Sequence, residues 1–176
     1  MSSTAVNGPS VRGAALTASL LGAVADELAS AMDHAVQADT GLRGESSAAL
    51  TVLLHTPGLT IKELARHLGM RSPSAVELVG RLEAQGLVVR KPGSDARSRS
   101  LVLSSAGRRR AQAVLAARDR VARNWLRALS PRQQRDVRGA LMRILEELRT
   151  DDVDPDHLCR RCNESVCTLS ICPVAR

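Results

Sequence analysis

The 176-residue chain is predicted to be mostly α-helical, an α+β arrangement with one small β-hairpin set among helices. Three observations point there. Apolar residues recur every three or four positions over long stretches toward both ends. Helix start and stop signals punctuate the middle, with Thr60/Glu63, Ser72-Pro73 and Ser130-Pro131 as starts and Gly69 and Gly86 as stops. Two β-prone runs, 87–91 and 99–103, flank a loop rich in turn residues.

Residues 1–13 are small, polar and Gly/Pro-containing, and are expected to form a disordered arm. From Ala14 onward, Leu16, Leu20, Val24, Leu28, Met32 and Val36 fall at every fourth position, which predicts a long amphipathic helix within segment 14–45. Thr40-Gly41-Leu42-Arg43-Gly44 breaks it. A second helix is expected from Ser46 or Ser47 to His55, stopped by Thr56-Pro57-Gly58. Thr60 and Glu63 form a capping box for a helix over 61–68, with Gly69 as its left-handed cap. Ser72-Pro73 opens the next helix, expected to bury Val76, Val79 and Leu82 and to stop at Gly86. Two short helices joined by a tight Gly-containing turn are a helix-turn-helix signature, so 46–107 reads as one unit that includes the hairpin. Helices over 105–129 and from Ser130 onward complete segment 108–150. The second of them carries Val137, Leu141, Ile144, Leu145 and Leu148 on one face. The middle block is too small to cover both terminal apolar faces, which predicts a partner subunit.

Composition narrows function. Basic residues number 25, 23 of them Arg, against 18 acidic, for a net charge of +7. Residues 1–55 carry −3, residues 56–110 carry +7 and residues 111–176 carry +3. A basic block between other segments is the electrostatic footprint of nucleic-acid binding. Phe and Tyr are absent and Trp125 is the one aromatic residue, which argues against single-strand readers that stack bases on aromatic rings. The favoured partner is therefore duplex DNA. No uninterrupted apolar run reaches 18 residues and no charged n-region leads into an apolar stretch, so neither membrane contact nor secretion is expected, and the location expected is cytoplasmic. A nucleophile elbow, a Gly-rich phosphate loop followed by Lys and a paired-carboxylate motif are all missing, so the chain is not expected to be an enzyme.

The ordered set 59–107 is more specific. It comprises Leu59-Thr60-Ile61-Lys62-Glu63-Leu64-Ala65-Arg66-His67-Leu68, then Ser72-Pro73-Ser74-Ala75-Val76-Glu77-Leu78-Val79-Gly80-Arg81-Leu82 through Gly86-Leu87-Val88. Asp95-Ala96-Arg97-Ser98-Arg99 and Leu103-Ser104-Ser105-Ala106-Gly107 follow. This set resembles the winged helix-turn-helix of MarR-type transcription regulators, and the likeness runs over about residues 14–149. Ala96 and Ser104 depart from the family pattern, where a second wing Arg and a Thr are common. The resemblance implies a homodimer built on the terminal helices, with two winged modules on a palindromic duplex.

The residues themselves agree with that docking. Ser72, Ser74, Ala75, Glu77 and Arg81 are expected on the outer surface of a helix suited to the major groove. Arg97 and Arg99 suit the narrow minor groove, and family analogy makes Asp95 the residue that orients Arg97. Lys62, Arg66, Arg71, Arg90 and Lys91 are expected phosphate contacts. Arg108-Arg109-Arg110 reads equally as more phosphate contacts or as a solvated helix start. The family also implies a small, often aromatic, organic effector, with Trp125 either lining its site or packed in the core.

Cys159, Cys162, Cys167 and Cys172 all lie in the final segment, 151–176, outside the resemblance. Four thiols in so short and polar a stretch predict a metal-nucleated loop. The Cys-x2-Cys-x4-Cys-x4-Cys spacing, closing in Cys172-Pro173, favours an iron–sulfur cluster, either 2Fe–2S or 4Fe–4S. Structural zinc and reversible disulfides are the alternatives. Arg160, Arg161 and Arg176 are placed to offset the negative charge of a ligated cluster. His157 reads as solvated or as a substitute ligand, and the acidic run 151–156 as a solvated helix end.

Overall fold

The structure, a computed structural model, describes residues 9–92, 99–150, 153–168 and 170–174. In chain order its elements are α1 Pro9–Thr40, α2 Gly44–His55, α3 Ile61–Leu68, α4 Ser72–Ala84, β1 Val88–Pro92, β2 Arg99–Leu103, α5 Ser105–Leu126, α6 Pro131–Glu147 and α7 Pro155–Cys159. The mostly helical class with one antiparallel hairpin is as expected.

Helix α1 starts at Pro9, earlier than the arm over 1–13 allowed, because Pro9 suits a first helical turn and Ala-rich sequence follows at once. Residues 1–8 lie outside the described residues. Over Arg12–Thr40, α1 is long and apolar enough to cross a membrane by length and composition, a property that a search for uninterrupted apolar runs overlooks. Its second half instead packs along α5, with Val36 and Thr40 buried.

The core lies between α2, α3, α4, the hairpin and the first half of α5. Leu50, Leu53, Leu64, Leu78, Val79, Leu82, Leu101 and Val114 are all fully buried there. The Thr60–Glu63 capping box opens α3, and Gly69 closes it at φ +64°. Strand β1 pairs with β2 in a register that sets Val88 opposite Leu103 and Pro92 opposite Arg99. The other edge of β2 is held by the loop before α3: Gly58 N–H donates to the Leu101 carbonyl (2.9 Å) and Leu101 N–H to the Leu59 carbonyl (2.8 Å). Helix α5 starts against the hairpin. Ser104 Oγ donates to the Gly86 carbonyl (2.6 Å), and a β-carbon at Gly107 would overlap the Leu87 carbonyl oxygen.

Both ends of the helical frame present apolar surface. Leu16, Leu20, Leu21 and Val24 of α1 are exposed, as are Val137, Leu141, Ile144, Leu145 and Leu148 of α6. None of the 17 residues of α6 is buried. Its N-terminus is nonetheless well specified, by a Ser130–Gln133 capping box.

Candidate nucleic-acid interface and cysteine cavity

Helix α4 turns Ala75, Leu78, Val79 and Leu82 into the core, a stripe at i, i+3, i+4 and i+7. That phase leaves Ser72, Ser74, Glu77 and Arg81 exposed, the last three on one face. It corrects two expectations. Ala75 is fully buried, not outward-facing, and Val76 is half exposed, not core. Both are apolar neighbours, and only the position of Leu78 against the core decides which turns inward.

Around α4, Lys62, Arg71, Lys91 and Arg99 are exposed. Arg90 is exposed too, but its guanidinium is engaged by Glu83, with Nε–O distances of 3.0 and 3.1 Å. Asp95, Ala96 and Arg97 at the wing tip lie outside the described residues. In the run at the start of α5, Arg108 and Arg109 are exposed, whereas Arg110 donates to the Thr40 carbonyl at the C-terminus of α1. Arg110 therefore caps a helix end.

Arg66 departs most from expectation. Its Nη1 lies 2.7 Å from Asp154 Oδ2 and its Nη2 2.8 Å from Asp156 Oδ2. The two hydrogen bonds that Arg66 donates to these carboxylates raise its pKa. Burial alone would raise Asp154, but the Arg66 hydrogen bond and the Asp156 amide outweigh it and hold the carboxyl below its ordinary range. Asp154 also caps α7, accepting from Asp156 N–H at 2.9 Å. Asp154 and Asp156 are thus paired with the helix-turn-helix and not merely solvated, while Asp151 and Asp152 lie outside the described residues. His157 differs from both of its expected roles. Its Nδ1 is 3.1 Å from the His67 carbonyl oxygen, and its ring packs over Gly69.

Beyond α7 the chain folds back so that all four cysteines line one open cavity of about 490 Å³, together with Asp156, Glu164, Ser170 and others. The four are present as thiols. The thiols lie close enough to influence one another, Cys159 with Cys162 and Cys172, and Cys167 with Cys172. Among the described residues, no three Cys, His, Asp or Glu side chains are arranged to hold one metal ion. Burial, then the neighbouring Cys162 and Cys172, pushes Cys159 up to about 12. Burial and Cys172 push Cys167 up to about 11, and burial raises Cys162.

Three arginines surround this unit. Arg161 reaches Asp33 of α1 (3.1 Å) and Glu45 of α2 (3.7 Å), and Arg160 donates to the His157 carbonyl (2.7 Å). Arg118 of α5 lies near Cys162 and Asp33, its pKa lowered by burial and by Arg161. Sequence reading missed Arg118. Its signal is a charge four residues after Val114, on the buried face of α5. Arg176 lies outside the described residues. A second cavity, of about 340 Å³, opens between α2, α5 and the cysteine-rich unit, lined by Leu54, His55, Leu115, Arg123, Asn163 and Ser165 among others. Trp125, more than a third exposed, neither lines that cavity nor sits in the core.

A model of the MarR family matches residues 40–98. Solved structures share the fold over most of the chain. One is a MarR family protein from Bacillus stearothermophilus, 24% identical over 79% of this chain and 97% of that one, with a TM-score of 0.70. Another is MepR, a transcription regulator of the Staphylococcus aureus multidrug efflux pump MepA, 22% identical over 73% and 96%, with a TM-score of 0.64. A third is a MarR family protein of Mycobacterium tuberculosis, 26% identical over 71% and 90%, with a TM-score of 0.59. No curated protein matches the chain.

Proposed function

The chain has the MarR-type winged helix-turn-helix fold, and on that premise we propose that it is a homodimeric transcription regulator that binds palindromic duplex DNA in the cytoplasm. The observation that carries this is the outer face of α4. Ser74, Glu77 and Arg81 line it with groups that donate to or accept from base edges, and Lys62, Arg71, Lys91 and Arg99 flank it with positive charge. A regulator needs no catalytic groups of its own. Dimerisation is supported by the unburied apolar stripe of α6 and the exposed first half of α1, which a second copy would cover. Among the structural neighbours, a MepR variant is bound to an oligodeoxyribonucleotide.

Fluorescence anisotropy on random-core and palindromic duplexes across a salt series tests this reading. Saturable binding with a negative slope of log K against log salt is expected. No duplex binding at low salt would overturn it.

Regulation is assigned to the cysteine cavity, which holds an iron–sulfur cluster in this reading. Support comes from four thiols on one roomy cavity, and from Arg118, whose positive charge lies near Cys162. The spacing, one Cys-x2-Cys pair followed by two wider gaps and closing in Cys172-Pro173, favours a cluster over a zinc site built on two such pairs. When bound, a cluster supplies redox and nitric-oxide reactivity and dependence on iron supply. Iron, sulfide and zinc content and the visible spectrum, on protein purified without oxygen, test it. Iron with sulfide in a brown protein is the expected result; one zinc per colourless chain, or no metal, would overturn it.

A small organic effector is the second reading, favoured by the cavity between α2, α5 and the cysteine-rich unit. CouR from Rhodococcus jostii RHA1 is bound to p-coumaroyl-CoA.

A further inference from the structure

The acidic turn before the cysteines holds Arg66 of the helix-turn-helix by both terminal nitrogens, each engaged by a carboxylate. Arg66 lies one turn after Lys62 on the exposed side of α3, beside the DNA-facing helix. Asp154 takes its Nη1 and Asp156 its Nη2, at 2.7 and 2.8 Å. This two-pronged pairing is the one a guanidinium offers a phosphate group. Asp156 also lies 3.5 Å from His67 Nε2. His157 pins the same turn onto the helix-turn-helix, with its Nδ1 on the His67 carbonyl and its ring over Gly69. A β-carbon at Gly69 would lie 2.8 Å from that ring, so the glycine serves both the left-handed cap and the seat for His157. The contact joins residues 88 positions apart in sequence.

We propose that the Asp154–Asp156 turn is an intramolecular competitor of the DNA backbone for Arg66. One side chain cannot bind two carboxylates and a phosphate at once, so docking of the turn withholds a phosphate contact from each module. Asp154 caps the helix that carries Cys159, so the acids and the cysteine cavity move together. Asp154 lies five positions before Cys159, so occupancy of the cavity reaches the DNA-binding surface through the short helix α7. The inference rests on the duplex-binding reading above, but not on which metal fills the cavity.

The test uses the full chain with Asp154→Asn/Asp156→Asn, measured by anisotropy on one duplex over a salt series. Expected are duplex binding tighter by on the order of tenfold near physiological salt, and a log–log salt slope steeper by about one per subunit. In an Arg66→Ala background the same double substitution should give little gain. His157→Ala, which keeps both carboxylates but removes the pin, should give a smaller gain of the same sign, and thermal melts confirm that each variant is folded. Unchanged or weaker binding by the folded acid variant overturns the proposal. So does an undiminished gain in the Arg66→Ala background, which would show a general loss of negative charge and not competition. Absence of duplex binding in every form overturns both this inference and the function it rests on, whereas binding that ignores Asp154, Asp156 and His157 overturns the inference alone.

Discussion

The helix-turn-helix block and the cysteine-rich unit lie against each other but are held by different forces. The first is closed by apolar burial: Leu64, Leu68, Leu78, Val79 and Leu82 leave almost no surface to solvent. The second buries only Cys172, Pro173 and Val174 among the described residues, and is attached through Arg66–Asp154, Arg66–Asp156, Arg161–Asp33 and Arg161–Glu45. Burial is insensitive to salt, whereas exposed ion pairs are screened by it.

The largest effects should fall in the first module. Leu78→Ala removes a fully buried side chain from α4 and should cost about 2–5 kcal/mol in urea unfolding. A cost under 1 kcal/mol would place the real core elsewhere. Gly107→Ala is next. Its new methyl meets the Leu87 backbone, which cannot swing aside as a side chain can, and about 1–3 kcal/mol should be lost. The hairpin should shift with it, read as amide chemical-shift changes at Val88 and Leu103.

Thr60→Ala should cost about 1 kcal/mol through the lost cap. It also carries a pH signature. The Thr60 amide and hydroxyl hold the Glu63 carboxyl below its ordinary range. A depressed carboxylate contributes stability above its unfolded pKa, and that contribution is lost as pH falls through the folded value. The thermal midpoint of the parent protein should therefore fall more than that of Thr60→Ala on acidification, and parallel curves would refute the cap. The smallest effect belongs to the second module. Glu164→Gln, at an exposed carboxylate 3.9 Å from His55, should change global stability by less than about 0.5 kcal/mol. If it matched Leu78→Ala, the contrast between the modules would collapse.

Legibility in the sequence followed the range of the interaction. The Thr60–Glu63 box, the Ser130-Pro131 start, the Gly69 cap and the two strands of the hairpin all depend on residues close in sequence or on a period of two, and each appears in the structure as read. The inward face of α4 was legible only to within one residue, because Ala75 and Val76 are adjacent and both apolar. The tail was less legible still. Four cysteines at short spacing marked it as a chemical unit, yet nothing local distinguished Asp154 from any other acid or assigned it to Arg66.

Composition and local pattern therefore determined that this is a basic, mostly helical chain with a helix-turn-helix, a hairpin wing and a cysteine cluster. Such features arise from contacts within about one helical turn or between paired strands, where spacing alone fixes who meets whom. The tertiary structure alone decided which charges pair across the chain. With 25 basic and 18 acidic residues, opposite charges can meet in many ways of similar energy. The packing of the helices brings Arg66 to Asp154, Arg161 to Asp33 and Arg118 to the cysteines.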